Sequence, residues 1–302
     1  MADRAAILVS PSVLRDEPGL VEASIAAVEG QWEVVCRPED GADMPRQIAC
    51  CRESSASVVV GLGGDGTINA AASIAIETGA VLAAIPRGTM NLLTGDFGIG
   101  TDANAALESL GTLVEARVDY ATVNGRVFLH SSLVGVVPWM AVERESIRDA
   151  DSLRDKLTKL ADFVGVGLEA EELELRLTSD AGTDTISTRN FVVTNNRLAE
   201  RGLVSHARAT LDAGRLGVYA STNRGPLATL LLFTTIGTGK LSEDPATLTG
   251  DCEWLDVEFE RDSVLVSNDG EVWELIPPLE YRIHPRGLRV LVPAEIARGG
   301  RP

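Results

Sequence analysis

The segment from residue 58 to residue 69 constrains the fold of this chain more than any other stretch. It reads Val-Val-Val-Gly-Leu-Gly-Gly-Asp-Gly-Thr-Ile-Asn. The β-branched run at residues 58–60 is typical of a buried parallel strand. From Ile68 onward, apolar residues recur at the spacing of one helix face until Gly79, which supplies a stop signal. The glycines between these patterns therefore predict a strand-to-helix turn in an α/β sheet.

Such a turn is suited to binding a phosphate group. Glycines let the backbone approach a ligand closely, and the unpaired N–H groups and dipole at a helix N-terminus favour an anion. A tight turn without a ligand is the alternative interpretation. Because residues 61–66 contain four glycines, we favour the phosphate-binding interpretation.

Two common phosphate-binding loops do not account for this segment. The glycines satisfy the dinucleotide pattern G-x-G-x-x-G, but that pattern expects a ribose-binding acid about 20 residues later. Residues 84–87 instead read Ala-Ile-Pro-Arg. A Walker loop requires a lysine beside its last glycine, and no lysine precedes Lys156. The remaining interpretation places Asp65 beside phosphates, which would repel it unless Mg²⁺, bound directly or through water, lies between them.

A second strand-to-turn segment follows the first. Residues 80–85 are apolar and lead into Pro86-Arg87-Gly88-Thr89-Met90-Asn91. An ordinary helix start capped by Thr89 would explain this segment by itself. However, the carboxyl ends of neighbouring parallel strands form the crevice in which such sheets bind ligands. The two segments together predict two walls of one nucleotide site.

These motifs resemble those of a known family. Gly63-Gly64-Asp65-Gly66-Thr67 followed by Pro86-Arg87-Gly88-Thr89-Met90-Asn91 resembles the diacylglycerol kinase catalytic family, which includes bacterial diacylglycerol, phosphatidylglycerol and sphingoid-base kinases. NAD kinases and, more loosely, phosphofructokinases share the first motif, and the second motif separates the families. Far downstream, Asn268-Asp269-Gly270-Glu271 is similar to the family's catalytic Asp-Gly-Glu. The resemblance thus spans nearly the whole chain.

The resemblance implies an ATP-dependent lipid kinase that transfers the γ-phosphate of ATP to a hydroxyl of a lipid such as diacylglycerol. It implies Mg²⁺ as cofactor, an active site in an interdomain cleft, and Asp269 or Glu271 as general base. The residues implied to bind the nucleotide are Gly63, Gly64, Asp65, Gly66, Thr67, Asn69, Gly88, Thr89 and Asn91.

The residues alone leave the role of the downstream carboxylates open. Asn-Asp-Gly is most often a hairpin turn. On an extended chain, the spacing of two would instead place the side chains of Asp269 and Glu271 on one face. In that arrangement one carboxylate accepts the proton while the other orients it or contacts the metal.

The chain departs from the family pattern at three places. Ser10-Pro11-Ser12 lacks the Asn and Gly of the family's first turn, and Ala70 stands where a Glu is common. Ala213 replaces the Asp of a structural Mg²⁺ site that some members have in their second domain. These departures leave open a catalytically degenerate nucleotide-binding regulatory protein. The shared first motif leaves open an NAD kinase-like enzyme.

Hydrophobic periodicity predicts two domains. Strands predicted at 5–9, 32–35, 58–60 and 81–85 alternate with helical patterns, which indicates a doubly wound α/β domain. The shared first motif implies that this domain is similar to those of NAD kinase and phosphofructokinase. Later short strands, beginning with a hairpin at Asn124-Gly125, predict a mainly β-sandwich C-terminal domain. The predicted bounds are 1–118 and 119–283, and the family resemblance implies that residues 284–297 return to the first domain. Residues 141–159 are predicted as a charged helix or lid, and residues 227–236 as a core helix.

Charge and cysteine content limit which binding partners and which cellular compartment we expect. The net charge of −17 disfavours nucleic acid and adsorption on anionic lipid. For the lipid alcohol substrate that the resemblance implies, we therefore expect only transient peripheral membrane contact. No signal peptide or spanning segment is evident, and the four cysteines have no metal-ligand spacing. We therefore expect free thiols and a cytoplasmic protein, peripheral at most at the inner membrane face. A homodimer is left open.

Overall fold

The computed structural model describes residues 3–38, 43–88, 91–135, 172–199, 208–221 and 247–299. The chain forms two compact units: a first unit of Met1–Tyr120, Thr210–Asp212 and Pro285–Pro302, and a second unit of Ala121–Ala209 and Ala213–His284. The helices predicted at 141–159 and 227–236 lie outside the described residues. No helix in the described ranges combines the length and apolar character needed to cross a bilayer.

The first unit is an α/β fold around a parallel sheet. Its strands lie in the order β2-β1-β3-β4, and the end of the last strand, β16, pairs parallel with β4 through Arg289 and Val290. The strands are β1 (Arg4–Val9), β2 (Glu33–Cys36), β3 (Val58–Gly63) and β4 (Val81–Pro86). The helices are α1 (Pro11–Asp16), α2 (Pro18–Glu29), α3 (Met44–Glu53), α4 (Asp65–Thr78), α5 (Leu92–Asp96), α6 (Ala103–Ser109) and the terminal α7 (Ala294–Ala297).

Burial explains why these segments form a parallel sheet. Every residue of β3 and β4 is buried, which is typical of strands covered by helices on both faces. The helix after β3 begins at Asp65, three residues before the apolar periodicity starts, and Gly79 ends it with a left-handed φ of 72°. The predicted doubly wound α/β fold is confirmed.

The second unit consists of two antiparallel sheets. One has the order β12-β11-β10-β7-β14-β15, and the other contains β13, β8, β9 and the start of β16. Both sheets contribute to one core, for example through Phe191 and Val266 from the first and Leu175 and Val257 from the second. The mainly β-sandwich prediction is therefore confirmed.

The remaining strands follow the predicted pattern with one break. They are β5 (Val114–Val123), β6 (Arg126–Phe128), β7 (Ser131–Gly135), β8 (Leu173–Ser179), β9 (Gly182–Thr188), β10 (Asn190–Asn195), β11 (Leu216–Ser221), β12 (Thr247–Cys252), β13 (Trp254–Phe259), β14 (Val264–Asn268), β15 (Glu271–Leu275) and β16 (Leu279–Val292). The hairpin at Asn124-Gly125 is present, and both residues have positive φ, as a type I′ turn requires. The predicted strand at 127–133 is interrupted at Leu129 and His130.

The cysteines do not all remain free. Cys36, at the end of β2, forms a disulfide with Cys50 in the last part of α3, and Cys51 and Cys252 are buried thiols. The expectation of free thiols is therefore wrong for Cys36 and Cys50. The packing of α3 against the sheet brings the two sulfur atoms together, a juxtaposition that the spacing of 14 residues does not reveal.

Candidate active-site segments

The first glycine-rich segment lies where sequence analysis placed it. β3 ends at Gly63, Gly64 precedes the helix in extended conformation, and α4 runs for 14 residues from Asp65. The first N–H groups of such a helix have no partner within it. Such N–H groups and the helix dipole favour an anion at a helix N-terminus, as the predicted phosphate site requires.

Packing also requires glycine at several of these positions. A Cβ on Gly63 would lie 2.6 Å from Oγ1 of Thr67 and 3.0 Å from Cβ of Ser10. A Cβ on Gly88 would lie 2.5 Å from Cα of Gly64. Gly64 and Gly88 therefore allow the two predicted loops to pack directly against each other.

Hydrogen bonds hold the second segment against the first. The N–H of Arg87 donates to the carbonyl of Gly63 at 2.7 Å. Within the segment, the N–H of Gly88 donates to Oδ1 of Asn91 at 2.9 Å, and Nδ2 of Asn91 donates back to the carbonyl of Gly88 at 3.0 Å. Asn91 is buried and has a left-handed φ of 49°, so its side chain shapes the turn. Thr89 lies outside the described residues.

Asp65 connects the start of α4 to the start of α5. Its Oδ1 accepts a hydrogen bond from the backbone N–H of Leu93 at 3.0 Å, which satisfies one of the unpaired donors of α5. No group of three or more His, Cys, Asp or Glu side chains forms a metal-binding cluster among the described residues. Mg²⁺ is commonly bound through one or two carboxylates, several waters and the phosphates of a substrate. Because Oδ1 of Asp65 accepts the hydrogen bond from Leu93, Oδ2 is the oxygen that fits such a site.

The downstream carboxylates lie on a tight hairpin in the second unit. Asp269 and Gly270 have φ values of 49° and 93° and connect β14 to β15, with Asn268 paired to Glu271. The assumption of an extended chain through Asp269 is therefore wrong. The hairpin turn, which is the commonest use of Asn-Asp-Gly, is the correct interpretation of the backbone.

The carboxylate of Asp269 is bound by three backbone donors. Oδ2 accepts from the N–H of Leu129 at 2.6 Å, and Oδ1 accepts from the N–H groups of His130 at 2.9 Å and Ser131 at 2.8 Å. Burial raises the pKa of the Asp269 carboxyl, while these N–H groups act to lower it. Asp269 thus anchors the backbone at the break between β6 and β7.

Glu271 differs from Asp269 in exposure. Glu271 is the first residue of β15 and is exposed. Desolvation by the surrounding protein raises the pKa of Glu271, and the negative charge of Asp269 raises it further. Of the two predicted catalytic carboxylates, Glu271 is the one that solvent reaches more freely.

Comparison with known proteins finds a family match within the first unit. Residues 21–123 match the diacylglycerol kinase catalytic domain. The match confirms the resemblance and includes both glycine-containing segments. It does not extend to the hairpin of Asp269 and Glu271. An uncharacterized protein of Synechocystis sp. is 26% identical over 251 residues, which cover 79% of this chain but only 55% of that protein. The chain therefore spans about half the length of this relative.

Solved structures show the same fold over nearly the whole chain. A "putative diacylglycerol kinase" from Bacillus anthracis str. Sterne superimposes with a TM-score of 0.71 and 17% identity, covering 98% of this chain and 96% of that one. A second solved structure from the same organism, described as one of "diacylglycerol kinases", superimposes with a TM-score of 0.67 and 16% identity and covers 98% of each chain. Identities this low establish the fold alone.

Sequence analysis missed two buried polar residues beside these segments. Gln47 of α3 lies within the diacylglycerol kinase match, and its side chain forms two hydrogen bonds with the backbone at the end of β1. Oε1 accepts from the N–H of Val9 at 2.9 Å, and Nε2 donates to the carbonyl of Val9 at 3.0 Å. In the second unit, the buried Arg208 donates to the carbonyl of Leu129 at 2.8 Å. All three bonds join residues distant in sequence, so no local pattern signals them.

Proposed function

We propose that the protein is an ATP-dependent lipid kinase that transfers the γ-phosphoryl group of ATP to a hydroxyl of a lipid such as diacylglycerol. The observation that carries this proposal is the glycine-lined turn at the start of α4, because it lies within the segment that matches the diacylglycerol kinase catalytic domain.

The first unit supplies the phosphate-binding groups in this proposal. The N–H groups of Asp65, Gly66 and Thr67 at the start of α4 bind phosphate oxygens. Oδ2 of Asp65 would hold Mg²⁺ directly or through water, and the bound ion would neutralise charge on the transferred phosphoryl group. Gly64 and Gly88 keep the two loops close enough for the nucleotide to contact both.

The second unit supplies the base. The lipid hydroxyl gives its proton to the carboxylate of Glu271 as its oxygen attacks the γ-phosphorus, and the bond to the bridging oxygen breaks to release ADP. Asp269 serves as the positioning residue, because its carboxylate already accepts three backbone N–H groups. The raised pKa of Glu271 brings it closer to the value that favours a general base near neutral pH.

Particular residues favour the two alternatives. A nucleotide-binding regulatory protein is favoured by Ala70 and by the structural use of the Asp269 carboxylate. An NAD kinase-like enzyme is favoured only by the first motif, Gly63-Gly64-Asp65-Gly66-Thr67.

One transfer assay separates the three functions. The protein is incubated with γ-labelled ATP, Mg²⁺ and either NAD or a panel of lipid alcohols in mixed micelles, beside Glu271→Gln. Glu274→Gln, an exposed neighbour on β15, is the matched control. We expect label in at least one lipid, a loss of at least about 100-fold in Glu271→Gln, and no loss in the control. Label in NAD alone would support the NAD kinase-like alternative, and ATP binding without any transfer would support the regulatory one.

A further inference from the structure

A buried side-chain amide lies directly before the carboxylate hairpin. Asn268 is the last residue of β14 and is 2% exposed. Among the residues that the structure describes, neither Oδ1 nor Nδ2 of its side chain has a hydrogen-bond partner, and both atoms are shielded from solvent. An amide in this state lacks the compensation that buried polar groups normally have.

This arrangement is unfavourable for folding. Leaving a buried donor or acceptor unsatisfied destabilises a protein, whereas an apolar side chain of similar shape avoids that cost. The residues that precede Asn268 on the same face of β14, Val264 and Val266, are apolar and belong to the sandwich core. A leucine at position 268 would continue this pattern, so the amide requires another explanation.

The strand register shows what lies beside the amide. Asn268 is paired with Glu271 on β15 and with Ser132 on β7. Directly opposed residues of antiparallel strands share a face and have closely spaced side chains. The hydroxyl of Ser132 is 3.1 Å from the hydroxyl of Tyr281. Asn268 therefore lies in a row between the exposed Glu271 and a hydroxyl that already has a partner.

We propose that Asn268 binds the acceptor alcohol and holds its hydroxyl beside Glu271. A hydroxyl group accepts a hydrogen bond from Nδ2 and donates one to Oδ1, so it satisfies both halves of the amide. A phosphate oxygen or a carboxylate would engage only Nδ2. Asn268 is thus a substrate-binding residue for the alcohol and has no role toward ATP. This inference rests on the proposed function and deepens it.

The test uses Asn268→Leu, which is similar in size and lacks the amide. The control is Asn190→Leu: Asn190 is also buried, but it pairs with Gly135 at the opposite end of β7. Two quantities are measured: the kinetic constants for ATP and for 1,2-dioctanoylglycerol in mixed micelles, and the binding of monomeric dioctanoylglycerol without ATP. We expect Asn268→Leu to raise KM and the Kd for dioctanoylglycerol by about tenfold, with KM for ATP unchanged and Tm unchanged or higher.

The outcomes distinguish the inference from the function on which it rests. A higher Tm with unchanged KM and Kd for dioctanoylglycerol would overturn the role of Asn268 and leave the kinase proposal intact. Binding without phosphoryl transfer, weakened by Asn268→Leu, would support Asn268 and overturn the kinase proposal. Neither binding nor transfer by the unmodified protein would overturn both. If Asn268→Leu does not fold, Asn268→Ala replaces it with the same expected rise in KM.

Discussion

Gly64 and Gly88 come so close that a Cβ on Gly88 would lie 2.5 Å from Cα of Gly64 and 2.9 Å from Oδ1 of Asn91. The backbone itself blocks the added atom, so the two loops cannot accept it without separating. The geometry of the predicted phosphate site therefore depends on this contact between two glycines.

Gly88→Ala is expected to destabilise the protein by about 1–3 kcal/mol, the usual cost of overpacking, and to weaken ATP binding at least about tenfold. Gly19→Ala on α2 is the matched control, because nothing lies within 4 Å of its added Cβ. Calorimetric titration with ATP and urea unfolding measure the two effects. Unchanged ATP affinity in Gly88→Ala would contradict a role of this contact in the site.

Asp65→Ala separates the structural and chemical roles of this carboxylate. Removing the acceptor for the N–H of Leu93 is expected to cost about 1 kcal/mol, as for other lost helix caps. The control, Asp102→Ala, removes a similar cap, since Oδ1 of Asp102 accepts from the N–H of Ala105 at 2.9 Å. Both variants should lose similar stability in urea unfolding, but only Asp65→Ala should lose Mg²⁺-dependent phosphoryl transfer. Equal activity of the two variants would leave Asp65 with a structural role only.

The raised pKa of Glu271 predicts a pH dependence of activity. A general base acts only when it is deprotonated, so kcat/KM should rise with pH along the acidic limb of its pH profile. The pKa of this limb should lie above 4.5, the ordinary pKa of a glutamate. Asp269→Asn removes a negative charge that raises the pKa of Glu271, and the limb should therefore move to lower pH. Asp262→Asn, at an exposed position, should leave it in place. A limb that stays or moves to higher pH in Asp269→Asn would contradict the assignment.

The same shifts predict a pH dependence of stability. The carboxyls of Asp269 and Glu271 have raised pKa values in the folded protein. The folded state therefore binds these protons more tightly than the unfolded chain does. Stability should fall as the pH rises from the ordinary carboxyl pKa values to the raised ones. Urea unfolding of the protein and of the Asp269→Asn, Glu271→Gln double variant, compared across this range, should show a shallower fall in the variant.

Reduction of the Cys36–Cys50 disulfide should destabilise the first unit. The bond closes a loop with a sequence separation of 14, for which chain entropy gives about 3 kcal/mol. Tm should fall on addition of dithiothreitol in the unmodified protein. Cys50→Ser should show the lower Tm under both conditions. A Tm that does not respond to the reductant would mean that the thiols are already free.

The sequence anticipated elements whose signals are local. The turn at Asn124-Gly125 and the stop at Gly79 depend on positive φ, which few residues adopt, and they lie where predicted. The strands of the first unit were predicted because a buried parallel strand needs a continuous apolar run. Strand 127–133 was predicted too long, because its interruption depends on Asp269, a residue about 140 positions away.

The sequence by itself determined that a glycine-rich turn joins a buried strand to a helix, since periodicity and the conformational freedom of glycine act over a few residues. It also identified Asp65, Asp269 and Glu271 as the carboxylates of interest. The local β14–β15 hairpin pairs Glu271 with Asn268. Only the tertiary structure decided what the other two carboxylates contact: Asp65 accepts the N–H of Leu93, and Asp269 accepts three N–H groups at the break between β6 and β7. The physical reason is that hydrogen-bond partners are set by which strands and helices pack together, and local sequence does not encode that choice.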